Sequence, residues 1–315
     1  MGLLIFGGAG SLGTELVNYY QYKYKTITVV SRDEAKHWEL RSKFPLVRTV
    51  ICDVRDRLRV EEVLLQVQPT TIIVAHALKQ VDICEKFPLE SIKTNVLGVE
   101  NVISAIEAGK RIGSSIETVC FISTDKACNP INVYGMCKSI SERIVATAAL
   151  NSVVRYVICR YGNVISSKGS VIPLFLKQAH DSNCSAFTVT DKRMTRFMMT
   201  LTESVELIEK AIELGRSGDI WIPKLDSMCI MDLAEIFSEH FKKDIKTVGM
   251  RPGEKIHEVL MNEEEGAQYR EELDCFVFNK ENSKRSQITE YSSKDFVICR
   301  EALNMRLKAY IEDGL

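Results

Sequence analysis

Apolar positions along the chain follow two alternating rhythms. Short runs rich in β-branched residues (Leu3 to Phe6, Thr26 to Val30, Val47 to Cys52, Thr71 to Ala75, Thr118 to Ser123, Val153 to Cys159) alternate with segments of helical spacing. Leu12 to Tyr20, Val60 to Val67, Ser91 to Ala108 and Ile140 to Leu150 are such segments. This alternation predicts βαβ units, whose crossovers require a parallel sheet with helices on both faces. The expected fold is α/β: a Rossmann-type, doubly wound parallel sheet over residues 1–160. After Tyr161 the rhythm gives way to a Gly- and Ser-bearing loop at Ser166 to Ser170, a strand at Phe187 to Val189, and helices over Glu203 to Leu214 and Met231 to Phe241. Residues 161–315 are read as a smaller C-terminal substrate lobe, interleaved with the first domain. The charged stretches Asn262 to Glu272 and Lys280 to Lys294 lack either period and predict a surface arm, a flexible edge or an oligomer contact.

Composition narrows the function. With 41 basic and 42 acidic residues the net charge is -1, so any anion has to be held by locally placed groups, and nucleic acid is not an expected partner. Ten cysteines without a C-x-x-C pair and five dispersed histidines give no metal-ligand spacing, so no metal is expected. Reduced thiols fit a cytoplasmic compartment. The first apolar run has no basic leader or cleavage site, and no stretch reaches membrane-spanning length, so neither a signal peptide nor a membrane partner is expected.

The first strand runs directly into Gly7-Gly8-Ala9-Gly10-Ser11-Leu12-Gly13. Between a strand and a helix, glycines at this spacing let backbone amides and a helix N-terminus approach a pyrophosphate, so Gly7, Gly10, Ser11, Leu12 and Gly13 are cofactor candidates. The second strand closes on Ser31 and Arg32, and a cation there suits a 2'-phosphate, which favours NADP over NAD. Asp53, with Val54 beside it at the end of the third strand, is expected to meet the adenine edge. Ala75 and Ala77 after the fourth leave room for the nicotinamide-side ribose.

Ser123-Thr124-Asp125-Lys126 ends the fifth strand, and Tyr134 and Lys138 open the next helix. A spacing of four places Tyr134 and Lys138 on one helical face. There the lysine cation is expected to lower the phenol pKa and touch the cofactor ribose, so that the tyrosinate takes a proton from a substrate hydroxyl. Thr124 can hydrogen-bond the same oxygen.

The chain resembles the extended short-chain dehydrogenase/reductases that modify nucleotide sugars. Within them it resembles the inverting UDP-N-acetylglucosamine 4,6-dehydratase and polysaccharide-biosynthesis group along almost its whole length. The matching stretches are GGAGSLG (Gly7 to Gly13), ALKQVD (Ala77 to Asp82), TN (Thr94, Asn95), STDKACNPINVYGMCK (Ser123 to Lys138), RYGNVISSKGSVIPLF (Arg160 to Phe175), MTRFMMT (Met194 to Thr200) and RPGEKIHE (Arg251 to Glu258). Retaining 4,6-dehydratases carry Asp-Glu where this chain has Asp125-Lys126, and a 4-epimerase needs neither charge.

The resemblance implies a UDP-sugar substrate. Arg196, Arg251 and Glu254 match its nucleotide-contacting segments, and Lys79, Asn163 and Ser167 match those nearer the sugar or diphosphate; Lys79 is also a cofactor candidate. Once C4 is oxidised, the C5 proton lies beside a ketone and becomes acidic. Lys126, held neutral by the positive charge of Lys138 and of the oxidised cofactor, is expected to remove it, and a protonated Asp125 to donate to the departing C6 hydroxyl. The implied product is a UDP-2-acetamido-2,6-dideoxy-4-ketohexose of L configuration, made by a homo-oligomeric lyase that recycles its own NADP. Three alternatives stay open: a retaining UDP-glucose 4,6-dehydratase, a UDP-sugar 4-epimerase using the same Tyr134 and Lys138, and a catalytically silent NADP-sensing scaffold.

Overall fold

The computed structural model describes residues 1–111, 113–165, 167, 169–279 and 290–312. Its strands are β1 (Gly2–Phe6), β2 (Thr26–Ser31), β3 (Arg48–Ile51), β4 (Thr71–Val74), β5 (Thr118–Ile122), β6 (Arg155–Cys159), β7 (Asn163–Val164), β8 (Ala186–Val189), β9 (Thr195–Met199), β10 (Ile220–Pro223), β11 (Ser227–Cys229), β12 (Asp244–Thr247), β13 (Val259–Met261), β14 (Tyr269–Glu272), β15 (Cys275–Phe278) and β16 (Tyr291–Ser292). The main sheet runs in the order β14-β15-β10-β6-β5-β4-β1-β2-β3. It is parallel from β3 to β10 and ends in the antiparallel β14/β15 hairpin.

Burial explains why the central strands read as continuous apolar runs. Every residue of β4 and β5 is buried, as expected for parallel strands covered on both faces. Alternate side chains feed two cores. Leu4, Phe6, Ile72, Val74, Val119 and Phe121 pack on one face, while Leu3, Ile5, Ile73, Cys120 and Ile122 pack on the other. A third core, built around Phe175, Phe187, Phe237, Leu233 and Leu303, belongs to the region after β6. Strands β10, β14 and β15 nevertheless return to the main sheet, so the two regions share it.

Several local expectations change. The segment from Ser91 to Ala108 is not one helix: a π turn at Ile92–Leu97 precedes the α-helix Gly98–Arg111. Helix Glu34–Lys43 buries only His37 and Leu40, too few apolar positions for a helical stripe to be legible. The charged stretch Asn262 to Glu272 is ordered structure. Asn262 and Glu265 form a capping box for the turn Glu263–Gly266, and β14 then pairs with β15. Of the second charged stretch, residues 280–289 lie outside the described residues, while β16 pairs with β13. Among the described residues no helix is long and apolar enough to cross a membrane.

The order reverses direction between β1 and β4, with β2 and β3 on one side and β5 and β6 on the other. Such a switch point opens a crevice at the C-terminal ends of the strands. A groove of about 1330 Å³ occupies it.

Candidate active site

The cofactor end of the groove is shaped by glycines with separate duties. Gly7 has φ +80°, and a Cβ there would lie 2.6 Å from the His76 nitrogen. A Cβ on Gly13 would lie 2.3 Å from the Gly8 Cα, so that glycine lets helix Ser11–Tyr20 pack against the loop. A Cβ on Gly10 would meet only the Gly7 oxygen at 3.5 Å, leaving the space above it for a ligand. The helix has neither a side-chain cap nor an acidic residue in its first turn, so its backbone donors suit a diphosphate.

Ser31, Arg32 and Lys36 line the adenosine end, with Lys43 further along the same helix face. Ser31 Oγ is held 2.8 Å from His37 Nε2. Arg32 is half exposed and lies 3.3 Å from Asp53. Asp53 does not line the groove, whereas Val54 does. The Asp53 carboxylate accepts from Arg55 at 2.7 Å, and the arginines outweigh the effect of burial to hold it at about 2. Ala75, Ala77 and Lys79 also line the groove. Asn95 orients that loop, accepting from the Leu78 N–H and donating to its carbonyl, both at 2.8 Å. Lys79 is pushed below its ordinary pKa by burial alone.

The reacting end is assembled by close packing. Asn132 caps helix Val133–Asn151 by accepting from the Gly135 N–H at 2.7 Å and ties it to the Arg251–Glu254 turn by donating to the Gly253 carbonyl at 2.8 Å. A Cβ on Gly135 would sit 2.2 Å from the Lys126 carbonyl oxygen, so only glycine lets this helix rest on the turn Asp125–Ala127. Thr124, Asp125, Lys126, Tyr134 and Lys138 all line the groove. Burial, opposed in part by Lys126, pushes the Tyr134 phenol up to about 12.

Two electrostatic expectations are corrected. Lys138 is not the leading cation on the phenol: its ammonium donates to the Ile122 carbonyl at 2.7 Å and lies over the Phe121 ring, and burial lowers its pKa to about 8. The leading cation acting on Tyr134 is Lys126. Nor is Lys126 neutral, because its Nζ lies 3.1 Å from Asp125 Oδ1 and 3.1 Å from Glu258 Oε1. These carboxylates overcome burial and raise its pKa above the ordinary lysine value. Asp125 is shifted upward by burial, against the pull of Lys126 and with added repulsion from Glu258.

Glu258 is the group the sequence reading missed. It closes the RPGEKIHE stretch but carries no spacing signal, and only the fold brings it to Lys126. Arg160 is a second such group. Fully buried, it donates to Glu142 at 2.6 Å and to Glu265 at 2.7 Å, and Ser123 Oγ donates to the same Glu142 at 2.5 Å. The strand end that carries Thr124, the Tyr134 helix and the segment after Glu258 are thereby tied at one guanidinium.

Asn163, Ser167, Arg196, Arg251 and Glu254 line the far end of the groove. The Asn163 Oδ1 is buried without a hydrogen-bond partner. Arg196 donates to the Thr195, Lys255 and Ile256 carbonyls at 2.7, 2.8 and 2.9 Å, so much of its hydrogen-bonding capacity fastens the Arg251–Glu258 segment to β9. Arg251 remains 63% exposed and is paired with Glu254 at 2.6 Å.

A family model described as polysaccharide biosynthesis protein matches residues 3–280. The chain is 38% identical over 270 residues to UDP-N-acetylglucosamine 4,6-dehydratase (inverting) of Campylobacter jejuni, across 84% of this chain and 78% of the relative. It is 40% identical over 277 residues to UDP-glucose 4-epimerase of Rickettsia massiliae, across 84% of this chain and 79% of the relative. The crystal structure of Pen from Bacillus thuringiensis superposes with a TM-score of 0.89 at 34% identity, covering 98% of this chain and 97% of that one. From the glycine loop to the Glu258 segment, the chain belongs to the polysaccharide biosynthesis protein family of extended short-chain dehydrogenase/reductases.

Proposed function

We propose that this chain is an inverting 4,6-dehydratase/5-epimerase, a lyase that acts on UDP-N-acetylglucosamine and recycles its own cofactor. The observation that carries the reading is the Asp125-Lys126 pair beside Thr124 and Tyr134 on the floor of one groove. The similarity to the Campylobacter dehydratase supports the substrate and the inverting outcome.

The residues present fit a nicotinamide dinucleotide, with open space over Gly10 and an uncapped helix N-terminus for its diphosphate. The chemistry it would supply there is reversible hydride acceptance, from C4 and back to C6. Arg32 and Lys36 at the adenosine end support NADP over NAD. In the protein's own part of the reaction, Tyr134, once its own phenol proton has passed to solvent, takes the C4 hydroxyl proton as the tyrosinate while Thr124 holds that oxygen. Lys126 takes the C5 proton after its own has moved, Asp125 protonates the departing C6 oxygen, and C5 regains a proton from solvent on the opposite face, which inverts that centre. Lys79, Asn163, Ser167, Arg196, Arg251 and Glu254 hold the UDP-sugar, with Arg251 meeting the nucleotide.

The Rickettsia relatives favour a second reading, UDP-sugar 4-epimerase, which would use Tyr134 and Lys138 alone. Mass spectrometry after incubation with UDP-N-acetylglucosamine separates the two: dehydration yields a product lighter by one water, epimerisation an isomer of unchanged mass.

A homo-oligomer is part of the proposal. Leu89, Ile92 and Leu97 on one side and Met136 and Ile140 on the other leave exposed apolar side chains on helices that pack together. Light scattering reports the assembly. Ten cysteines without disulfides, seven of them buried, are consistent with cytoplasmic placement.

A further inference from the structure

The Asp125–Lys126–Glu258 cluster holds two carboxylates for one ammonium, and this ratio constrains the chemistry just proposed. The side chains of Asp125 and Glu258 are only 1% and 3% exposed. An amine clamped between them keeps its proton, and a protonated amine cannot take one from C5. The proton of Lys126 therefore has to move to a neighbour before the step. Asp125 is the wrong acceptor, because it has to carry a proton of its own to the C6 oxygen: Thr124 and Lys126 donate to its Oδ1 at 2.9 and 3.1 Å, and its unpartnered Oδ2 is the oxygen left for that proton.

Glu258 is the carboxylate of the pair with no proton to deliver elsewhere. Its Oε2, like Asp125 Oδ2, is buried without a hydrogen-bond partner, and its side chain lines the groove. The groups around it are Lys126 and Asp125 from the turn after β5, Arg196 Nε of β9 at 3.8 Å, and Lys255 Nζ of its own segment at 4.0 Å. Its backbone N–H donates to Ser293 Oγ at 2.9 Å, which fixes the residue in place. Burial disfavours its charge, but Lys126, Arg196 and Lys255 outweigh burial, so it rests as a carboxylate ready to accept.

We propose that Glu258 is a positioning residue for the acid–base pair, the group that receives the proton of Lys126 and so turns the ammonium into the C5 base. This rests on the dehydratase reading. When a sugar covers the cluster and excludes the remaining water, the cost of keeping the ion pair charged rises and brings the neutral amine beside a neutral acid within reach. The proton passes from Lys126 Nζ to Glu258. The C5–H bond then breaks toward the free amine, its electron pair forms the C5–C6 double bond, and the C6–O bond breaks as Asp125 protonates the leaving oxygen to water. The cluster ends with Lys126 and Glu258 protonated and Asp125 ionised. Return of the Glu258 proton to Asp125 by way of Lys126 restores the resting state.

Glu258→Gln leaves Asp125 and Lys126 to neutralise each other as an ion pair, which removes acid and base together. The test first asks whether the wild-type protein converts UDP-N-acetylglucosamine to a 4-keto-6-deoxy sugar. That sugar is then given, in deuterated water, to wild type, Glu258→Gln and Glu258→Asp, and deuterium entry at C5 is followed by NMR across pH. Exchange by Glu258→Gln is expected to fall about 100-fold or more at neutral pH and to climb with pH as Lys126 loses its proton to solvent. Wild type stays flat over the same range, and Glu258→Asp recovers part of the rate. Glu258→Gln should still form a 4-keto sugar that retains its C6 hydroxyl, which a distorted site would not do. Exchange by Glu258→Gln within about threefold of wild type, or equal losses of exchange and C4 oxidation, would overturn the proposal. A wild type that makes no 4-keto-6-deoxy sugar overturns the dehydratase reading and this inference with it.

Discussion

Lys126 Nζ and Glu258 Oε1 meet at 3.1 Å although 132 positions separate them in the sequence. The contact joins the turn after β5, beside the Tyr134 helix, to the segment that Arg196 fastens against β9. It brings the reacting end and the substrate end of the groove onto one charge cluster.

Lys126 is the first residue to remove. Lys126→Ala should bind cofactor normally and lose exchange of the C5 proton with solvent by about 10²–10⁴-fold. Deuterium incorporation followed by NMR checks this, and unaltered turnover would take Lys126 out of the mechanism.

Arg32 tests cofactor choice. A charge-assisted contact to a 2'-phosphate implies that Arg32→Ala weakens NADP by roughly 10- to 100-fold while NAD changes little. Titrations followed by fluorescence or calorimetry report both affinities. An equal loss for the two cofactors would make Arg32 an ordinary surface cation paired with Asp53.

Lys138 links the site to pH. Burial lowers its pKa from 10.5 to about 8, so the folded chain favours the neutral amine more than the unfolded chain does. The sign follows: this contribution is present above about pH 10.5 and is lost as pH falls through about 8. At neutral pH the buried ammonium costs up to about 3 kcal/mol. Lys138→Met should therefore flatten the rise of cofactor-free stability between pH 8 and 10.5, as measured by urea unfolding. An unchanged slope would show that Lys138 is hydrated in solution.

The Arg160 clamp makes a stability prediction. Arg160→Met leaves Glu142 and Glu265 as buried carboxylates without their cation and should cost about 3–5 kcal/mol in chemical unfolding. A loss below about 1 kcal/mol would mean that water reaches the cluster.

How much was legible in the sequence depended on the range of the interaction. The six parallel strands and the glycine loop could be read because period-2 apolar runs and short spacings encode local geometry. Thr124, Tyr134 and Lys138 were found in the same way. The charge state of Lys126 was only half legible, because its proton is held by Asp125, its neighbour in the sequence, together with Glu258 at the far end of the chain, and not set by nearby Lys138. The Asn262 to Glu272 stretch misled through its charge: Glu265 is buried against Arg160, a pairing that composition cannot reveal. Residues 280–289, read as part of a charged arm, lie outside the described residues.

The most direct test of the central claim is proton NMR of the purified protein with UDP-N-acetylglucosamine in deuterated water, with no cofactor beyond what copurifies. The account predicts a new 6-methyl signal, deuterium at C5, and ring couplings that report inversion at that carbon. A sugar that changes only at C4 and keeps its C6 hydroxyl would contradict it and establish the epimerase reading.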